Sequence, residues 1–279
     1  MTKMRVLVTV KTYPTLSGKY DELVCTAGFK ESGEMIRIYP LAFRKKSYNE
    51  QYSKYSWIEI DLVKNTSDFR PESYRPHSHE SEIKILEKID TKNEWAERKE
   101  IVLKKVYYDL AELISEAHNK QILTSLAVFK PTEIIDFVIE AVEREWDKKK
   151  LAKLEAERKQ SNLFQQPEDP FKVVRKLPYK FFYVLKDKNG KKSKMMIEDW
   201  EIGQLFWNCL ERAGGDEKVA VQKVKEKYLD NFAKTKDLYL FLGTSQLHHH
   251  ISKNPFMIIG AFYPDFPKIP EVKLQMELF

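Results

Sequence analysis

The stretch KTYPTLSGKYDELVC, residues 11–25, gathers Lys19, Tyr20, Asp21 and Glu22 where a Pro-Ser-Gly loop meets the next strand-like run. Loops held at the rim of a rigid sheet are where binding and catalytic side chains concentrate. Glu22, at the mouth of ELVC, is the first candidate for a catalytic residue: a general base that activates water once burial or a neighbour tunes it, with Asp21 beside it. Tyr13 and Tyr20 offer faces for stacking, and Lys19 offers a cation. A solvated loop would carry the same letters.

Three further stretches suit a polyanion. FRKKSYNEQYSKYSW (43–57) interleaves Arg44, Lys45 and Lys46 with tyrosines, a basic-aromatic mixture that fits nucleic acid or simply roofs a small sheet. KNTSDFRPESYRPHSHES (64–81) carries Arg70, Tyr74 and Arg75 among hydroxyls on a proline-punctuated loop. Arginines and hydroxyls contact phosphate, and exposed aromatics stack on unpaired bases. Residues 171–194 hold nine Lys or Arg and one Asp, Lys176 and Lys180 among them. One face bearing those charges would bind phosphate in a salt-sensitive way, although lysines also protect a strand edge from aggregation.

Other combinations are weaker. Asp199 and Glu201 flank Trp200 in a first helical turn, where the helix dipole alone accounts for them. His77-x-His79 has ligand spacing but lacks a third partner nearby, so no metal is expected. His248, His249 and His250 cannot all face one ion in regular structure; one of them could contact phosphate or donate a proton. Glycine-rich phosphate loops, a Ser-His-Asp order and Cys-x-x-Cys pairs are all missing, which removes the usual support for nucleotide-driven motors, α/β-hydrolases and zinc fingers. No cofactor is expected.

These residues need elements to position them. RVLVTVKT, ELVCTAGF, MIRIYPLAF and WIEIDLVKN read as strands of a small twisted sheet or partial barrel. Residues 94–119 place Ile101, Val102, Val106, Leu110, Leu113 and Ile114 on one helical stripe. SLAVFKP reads as a strand stopped by Pro131, and a long helix is expected from Thr132, with Ile134, Ile135, Phe137, Val138, Ala141, Val142 and Trp146 as its stripe. SNLFQQPEDP is linker by composition. Beyond it, two strands flank Asn189-Gly190, a hairpin signal. Two helices and two more strands follow, in a ββααββ order. The expectation is an α+β chain with a β-rich N-terminal domain over 1–160, a linker over 161–170 and a basic second domain over 171–279.

The 279 residues carry 48 Lys plus Arg against 42 Asp plus Glu, a net charge of +6 that permits a nucleic-acid partner without requiring one. Two cysteines imply no disulfide framework, and a reducing cytoplasm fits. The N-terminal apolar run is too short for a signal peptide, and no run approaches membrane-spanning length.

The chain ends QMELF, and Gln160 to Phe164 repeat the Gln-x-x-Leu-Phe pattern. Both resemble the short motif by which bacterial replication and repair proteins dock on the sliding clamp. That resemblance implies a partner-binding role for Gln275, Leu278 and Phe279, the amide reading backbone groups and Leu-Phe filling an apolar slot. Packing on their own domain would also explain them.

The strings VLVTVKTYPTLSGKYDELVCTAGF, MIRIYPLAFR, NTSDFRPESYRP, LPYKFFYVLKD, IEDWEIGQLFWNC, DLYLFLGT and FMIIGAFYP together resemble a family of bacterial two-domain proteins linked to anti-phage DNA glycosylases, which remove glucosylated hydroxymethylcytosine from viral DNA. The resemblance covers most of the chain, although no diagnostic uracil-glycosylase motif is present. It implies base excision from DNA in phage defence or repair, with Glu22 as water activator or as stabiliser of the sugar cation. Two other readings stay open: a magnesium-dependent nuclease using Asp21, Glu22, Asp199 or Glu201, and a non-catalytic nucleic-acid-binding module recruited to the clamp. RNA in place of DNA is compatible with either.

Overall fold

A computed structural model describes the backbone of residues 3–17, 21–41, 51–78, 81–149, 151–152, 156 and 174–267, and the side chains of all of these except 15–17 and 21–23. The architecture is α+β, with a closed barrel and a second open sheet.

The barrel is closed where a partial one was expected. Strands β1 (Lys3–Lys11), β3 (Asp21–Lys30), β4 (Met35–Leu41), β6 (Ser73–Pro76) and β5 (Ser56–Lys64) pair in that order, and β5 returns to β1. The short β2 (Thr15–Ser17) extends β3, and β7 (Ile83–Lys88) adds to β5. Alternation along β1 explains the closure: Val6 and Val8 enter the barrel core with Ile36, Ile38, Ile58 and Ile60. A bulge between Val8 and Val10 then puts Leu7 and Val10 together on the outer face, where a second core awaits them. Close backbone approach fixes Gly28 of β3, because a Cβ there would overlap the Leu7 carbonyl.

The second sheet has the order β10 (Glu133–Ala141), β11 (Tyr179–Lys186), β12 (Lys192–Ile197), β14 (Phe256–Phe262), β13 (Tyr239–Thr244), β9 (Leu126–Phe129), β8 (Val106–Tyr107). Between β12 and β13 run α3 (Trp200–Arg212), α4 (Glu217–Lys225) and a π-helical continuation of α4 (Glu226–Ala233). The order ββααββ is therefore the one the sequence suggests. Asp199 and Asp216 cap α3 and α4 by accepting from the first-turn amides. Asn189-Gly190 lies in the β11–β12 turn, where buried Asp187 accepts from the amides of Asn189 at 3.0 Å and Lys191 at 2.9 Å.

Two helical expectations are corrected. Residues 133–141 form β10, which pairs with β11 from Glu133↔Lys186 to Ala141↔Tyr179. The apolar run IIDFVI satisfies both periodicities, and its β-branched residues favour the strand once a partner edge is present. The stripe over 94–119 is interrupted: α1 (Lys92–Val102) ends, β8 intervenes, and α2 (Leu110–His118) starts afresh on the Asp109 cap.

Residues 106–141 thus hydrogen-bond into the second sheet, so sheet membership divides the chain near residue 105 rather than at the linker. The 161–170 linker itself lies outside the described residues. The layers are barrel, sheet and helices. Leu126, Val128, Phe241 and Ile259 face Leu7, Val10, Ala27 and Phe29 of the barrel. Ala127, Phe129, Leu240 and Leu242 face α2, α3 and α4. A strand covered on both sides reads as a continuous apolar run, as YLFLG does.

Candidate functional site

Where the barrel meets the sheet, packing leaves a cavity of about 230 Å³. Thr12, Tyr13, Cys25, Arg37, Tyr39 and Arg70 line it from the barrel; Glu198, Gly243, Thr244, Ser245, Gln246, Met257 and Ile259 line it from the sheet. Strand ends put them there. β1 finishes at Lys11, and Thr12 pairs in an isolated bridge with Asp199. The Tyr13 amide donates to the Glu198 carbonyl at 3.0 Å, and its hydroxyl donates to the Arg175 carbonyl while accepting from Trp207 Nε1, both at 2.8 Å.

Two guanidiniums underlie the cavity, and both serve the fold first. Buried Arg37 donates to Ser125 Oγ at 2.8 Å, to Ser73 Oγ and the Ser125 carbonyl at 3.1 Å, and to the Thr244 carbonyl at 3.4 Å. Arg70 grips Asp68 at 2.8 and 2.6 Å and also donates to the Thr244 carbonyl. Burial opposes the Asp68 charge, but the Arg70 hydrogen bonds outweigh it and hold that carboxyl below its ordinary value. Arg70, expected at phosphate, is thus buried and committed to Asp68. Burial pushes the Cys25 thiol up, against the pull of Arg37 and Arg70.

Glu198 is different. Among the described residues its half-buried carboxyl has no hydrogen-bond or ion-pair partner. Burial raises it above the ordinary carboxylate value, with Lys180 pulling the other way. Lys180 stands on neighbouring β11, one step beyond the Phe181↔Ile197 pair, and is exposed.

The cavity opens beside a wider groove of about 570 Å³, which shares Tyr39 and Gln246 with it. Asn65, Thr66, Ser67, Asp68, Arg75, His77 and Ser78 of the 64–81 stretch line this groove. Amides, hydroxyls, an imidazole and a guanidinium in one open trough suit hydroxyl-rich or phosphate-bearing ligands. Arg75 is exposed there and donates to the Pro76 carbonyl at 3.3 Å. Tyr74 turns away, half-buried, with Lys30 and Lys64 over its ring at 5.3 and 4.8 Å.

Asp199 and Glu201 do come together, but around a lysine. Lys54 donates to both Asp199 oxygens at 2.9 and 3.0 Å and meets Glu201 at 2.9 Å. Burial pushes Asp199 up to about 6, against that ammonium. Nearby Lys11 is lowered to about 8, first by burial and then by Lys54. A divalent cation at these carboxylates would have to displace Lys54. Among the described residues no group of three metal-ligating side chains converges.

The hairpin charge is dispersed. Lys186 pairs with Glu133 at 2.8 Å, Lys194 pairs with Glu140, and Lys176 donates to the Glu145 carbonyl at 2.8 Å. The backbone of Asp21 and Glu22 continues β3 beyond Cys25, whose carbonyl accepts from Thr12, so these positions extend from the barrel end that borders the cavity. Lys19, Tyr20, Arg44, Lys45, Lys46, Gln275, Leu278 and Phe279 lie outside the described residues, as do residues 160–164. Glu198, Arg37 and Gln246 escaped the sequence reading. Glu198 is adjacent to Asp199, but nothing in the letters says that Lys54 engages Asp199 and Glu201 while the Glu198 carboxyl has no partner among the described residues.

Comparisons with known proteins agree with the two-part division. A family described as domain of unknown function DUF8757 matches residues 106–279, and one described as domain of unknown function DUF8758 matches residues 2–104. The chain belongs to the DUF8757 family, with a DUF8758 region before it. No curated protein matches the sequence. Among solved structures it is similar to a murine DNA-binding protein bound to double-stranded DNA, at 10% identity and a TM-score of 0.32, over 96% of this chain and 98% of that one. A likeness that slight carries no argument. Among the described residues no helix is long and apolar enough to cross a membrane.

Proposed function

We propose that this protein binds DNA and excises a modified base, the reaction of a DNA glycosylase. The junction cavity carries the reading. It is smaller than the roughly 300–1,000 Å³ of pockets for drug-sized ligands, so it suits a single small ring system. Tyr13, Tyr39, Met257 and Ile259 supply flat or apolar walls, and the unpartnered Glu198 supplies a polar end. A base can enter such a pocket only by leaving the stack, as enzymes acting on bases require. A base bearing a hexose would place its ring in the cavity and its sugar hydroxyls against Asn65, Ser67, Asp68, His77 and Gln246 in the adjoining groove.

The chemistry follows from the groups at the two ends. Cleavage of the N-glycosidic bond builds positive charge on the deoxyribose, and a carboxylate close to it lowers that barrier. Glu22, on the strand that extends from the cavity rim, takes that role or activates the water that adds to the sugar carbon. The departing base leaves with the bonding electron pair and is eased by a donor. Glu198, whose carboxyl burial raises above its ordinary value, is the group placed to donate to it. Arg75 in the groove and Lys180 beside Glu198 contact the backbone phosphates. The C-terminal Gln275, Leu278 and Phe279 would bring the enzyme to newly replicated DNA by docking on a sliding clamp.

The test is incubation of the protein in chelator with plain, hydroxymethylated and glucosylated DNA, followed by alkali. Strand breaks that appear only after alkali, and only on modified DNA, support excision. Breaks that require magnesium point to a nuclease. A salt-sensitive gel shift without breaks would leave a binding module.

A further inference from the structure

An apolar knuckle stands at the mouth of the cavity. Residues 245–252 leave β13 directly after Thr244, and their first members, Ser245 and Gln246, line the cavity. The Ser252 amide donates to the His248 carbonyl at 3.1 Å, closing one helical turn that starts directly after Leu247 and carries Ile251. Both point to solvent, Leu247 at 74% exposure and Ile251 at 72%, with Phe69 beside the turn at 41%. Among the described residues these include the two most exposed large apolar side chains.

This turn is built, not loose. His249 is fully buried beneath it; its Nε2–H donates to the Ala117 carbonyl at 2.8 Å, which leaves Nδ1 to accept from the Thr244 hydroxyl at 2.8 Å. His250 stacks on Phe69 with ring centres 4.6 Å apart, and Phe69 meets His249 edge-on at 5.2 Å. Gln246 Nε2 donates to the Ser67 carbonyl at 2.8 Å, and His118 Nε2 meets the Ser252 carbonyl at 3.2 Å. So many anchors under two solvent-facing aliphatic side chains call for a partner. Their own segment suits a polyanion: residues 244–264 contain no Asp or Glu, His248, His250 and Lys253 are exposed, and Asp68 of the loop packed against the turn is paired with Arg70.

We propose that Leu247 and Ile251 form a wedge that enters the base stack of duplex DNA and holds open the gap left by a base turned into the cavity. Apolar side chains inserted between base steps unstack them at a cost of a few kcal/mol per step, and the rigid turn beneath lets the protein hold that distortion without yielding. Phe69 and His250 brace the wedge, and the exposed imidazoles and Lys253 face the flanking phosphates. The inference rests on the base-excision reading for its purpose, but the opening of the duplex can be read without any chemistry.

The experiment uses the full chain and the double variant Leu247→Ala, Ile251→Ala, both exposed positions whose truncation leaves the core intact. A plain duplex carrying 2-aminopurine reports unstacking by fluorescence. The native protein is expected to raise the signal several-fold at saturation and the variant to leave it near the free-duplex level. In parallel, excision is measured on one modified oligonucleotide as single strand and as duplex. The variant is expected to lose about tenfold or more on the duplex and to match the native protein within about twofold on the single strand. A native protein that binds duplex without raising the fluorescence, or a variant that raises it equally, overturns the wedge. A knuckle that docks another protein would give that second result. Fluorescence that rises without excision of any base overturns the glycosylase reading alone.

Discussion

At the scale of single residues, Glu198 is the group whose environment departs furthest from what its neighbours in sequence suggest. Asp199 and Glu201 were conspicuous as a pair, yet Lys54 occupies both. Glu198, between them and the strand, faces the cavity with no partner among the described residues. Its proposed role as general acid predicts that Glu198→Ala lowers excision by about 10²–10⁴-fold, the range of general acid–base contributions. Glu198→Gln, which keeps a donor, should recover part of that loss and flatten the decline in rate at high pH. Stability offers an independent check. The folded carboxyl titrates above its ordinary 4.5, so over that interval the native state holds a proton that the unfolded chain releases. Stability from this group is full below 4.5 and is lost as pH rises through the folded value. Denaturant midpoints of the native protein should therefore fall relative to Glu198→Gln as pH climbs through that interval. Parallel curves for the two would show that the carboxyl is ordinary. The polar, basic character of the 64–81 stretch is legible from residue type alone, but its place along a groove is not. Nor is the place of Arg70, because its engagement with Asp68, two residues away, depends on a turn that the letters leave undetermined.

At the scale of elements, the sequence was most legible where one periodicity excludes the other. The four N-terminal strands, the Asn189-Gly190 hairpin and the two capped helices behave as their patterns require. The run 133–141 does not, because IIDFVI serves a strand and a helix equally, and the choice falls to the open edge of β11. Barrel closure was also hidden, since the pairing of β1 with β5 joins residues fifty or more positions apart. The element that couples fold to site is α3. Gly203 in its first turns lies against the Tyr13 ring, and a Cβ there would overlap that ring. Tyr13 cannot swing aside without losing its bonds to Arg175 and Trp207. In an exposed helix Gly→Ala gains up to about 1 kcal/mol. Here overpacking reverses the sign, and Gly203→Ala should cost about 1–3 kcal/mol, read as a lowered denaturant midpoint at unchanged slope. Because Tyr13 lines the cavity, the same variant should also weaken excision. A stabilised Gly203→Ala protein would mean that the ring has room to move and that the cavity wall is not fixed.

At the scale of the whole molecule, two family regions meeting near residue 105 suggest two independent parts, and the packing argues otherwise. One face of the second sheet is covered by the barrel, so Phe241, fully buried, packs edge-on against Phe29 at 6.0 Å and belongs to a core shared by both regions. Buried polar bonds cross the same boundary: Arg37 reaches Ser125 and Thr244, and Glu72 accepts from the Ser125 amide at 3.0 Å and its hydroxyl at 2.7 Å. Separating the parts would expose that apolar core and break those hydrogen bonds, each worth about 1.5–3 kcal/mol when a charged group takes part. The halves are therefore expected to unfold together. Phe241→Ala should cost about 3–5 kcal/mol, a large share of a typical total of about 5–15 kcal/mol. Hydrogen exchange followed by mass spectrometry resolves the two regions: barrel strands β4 and β5 and the distant strand β11 should all exchange faster in the variant, and by similar factors. Acceleration confined to the second sheet would show that the barrel stands alone. The cavity would then lie between two separable bodies, and its walls would be set by how they dock rather than by one continuous core.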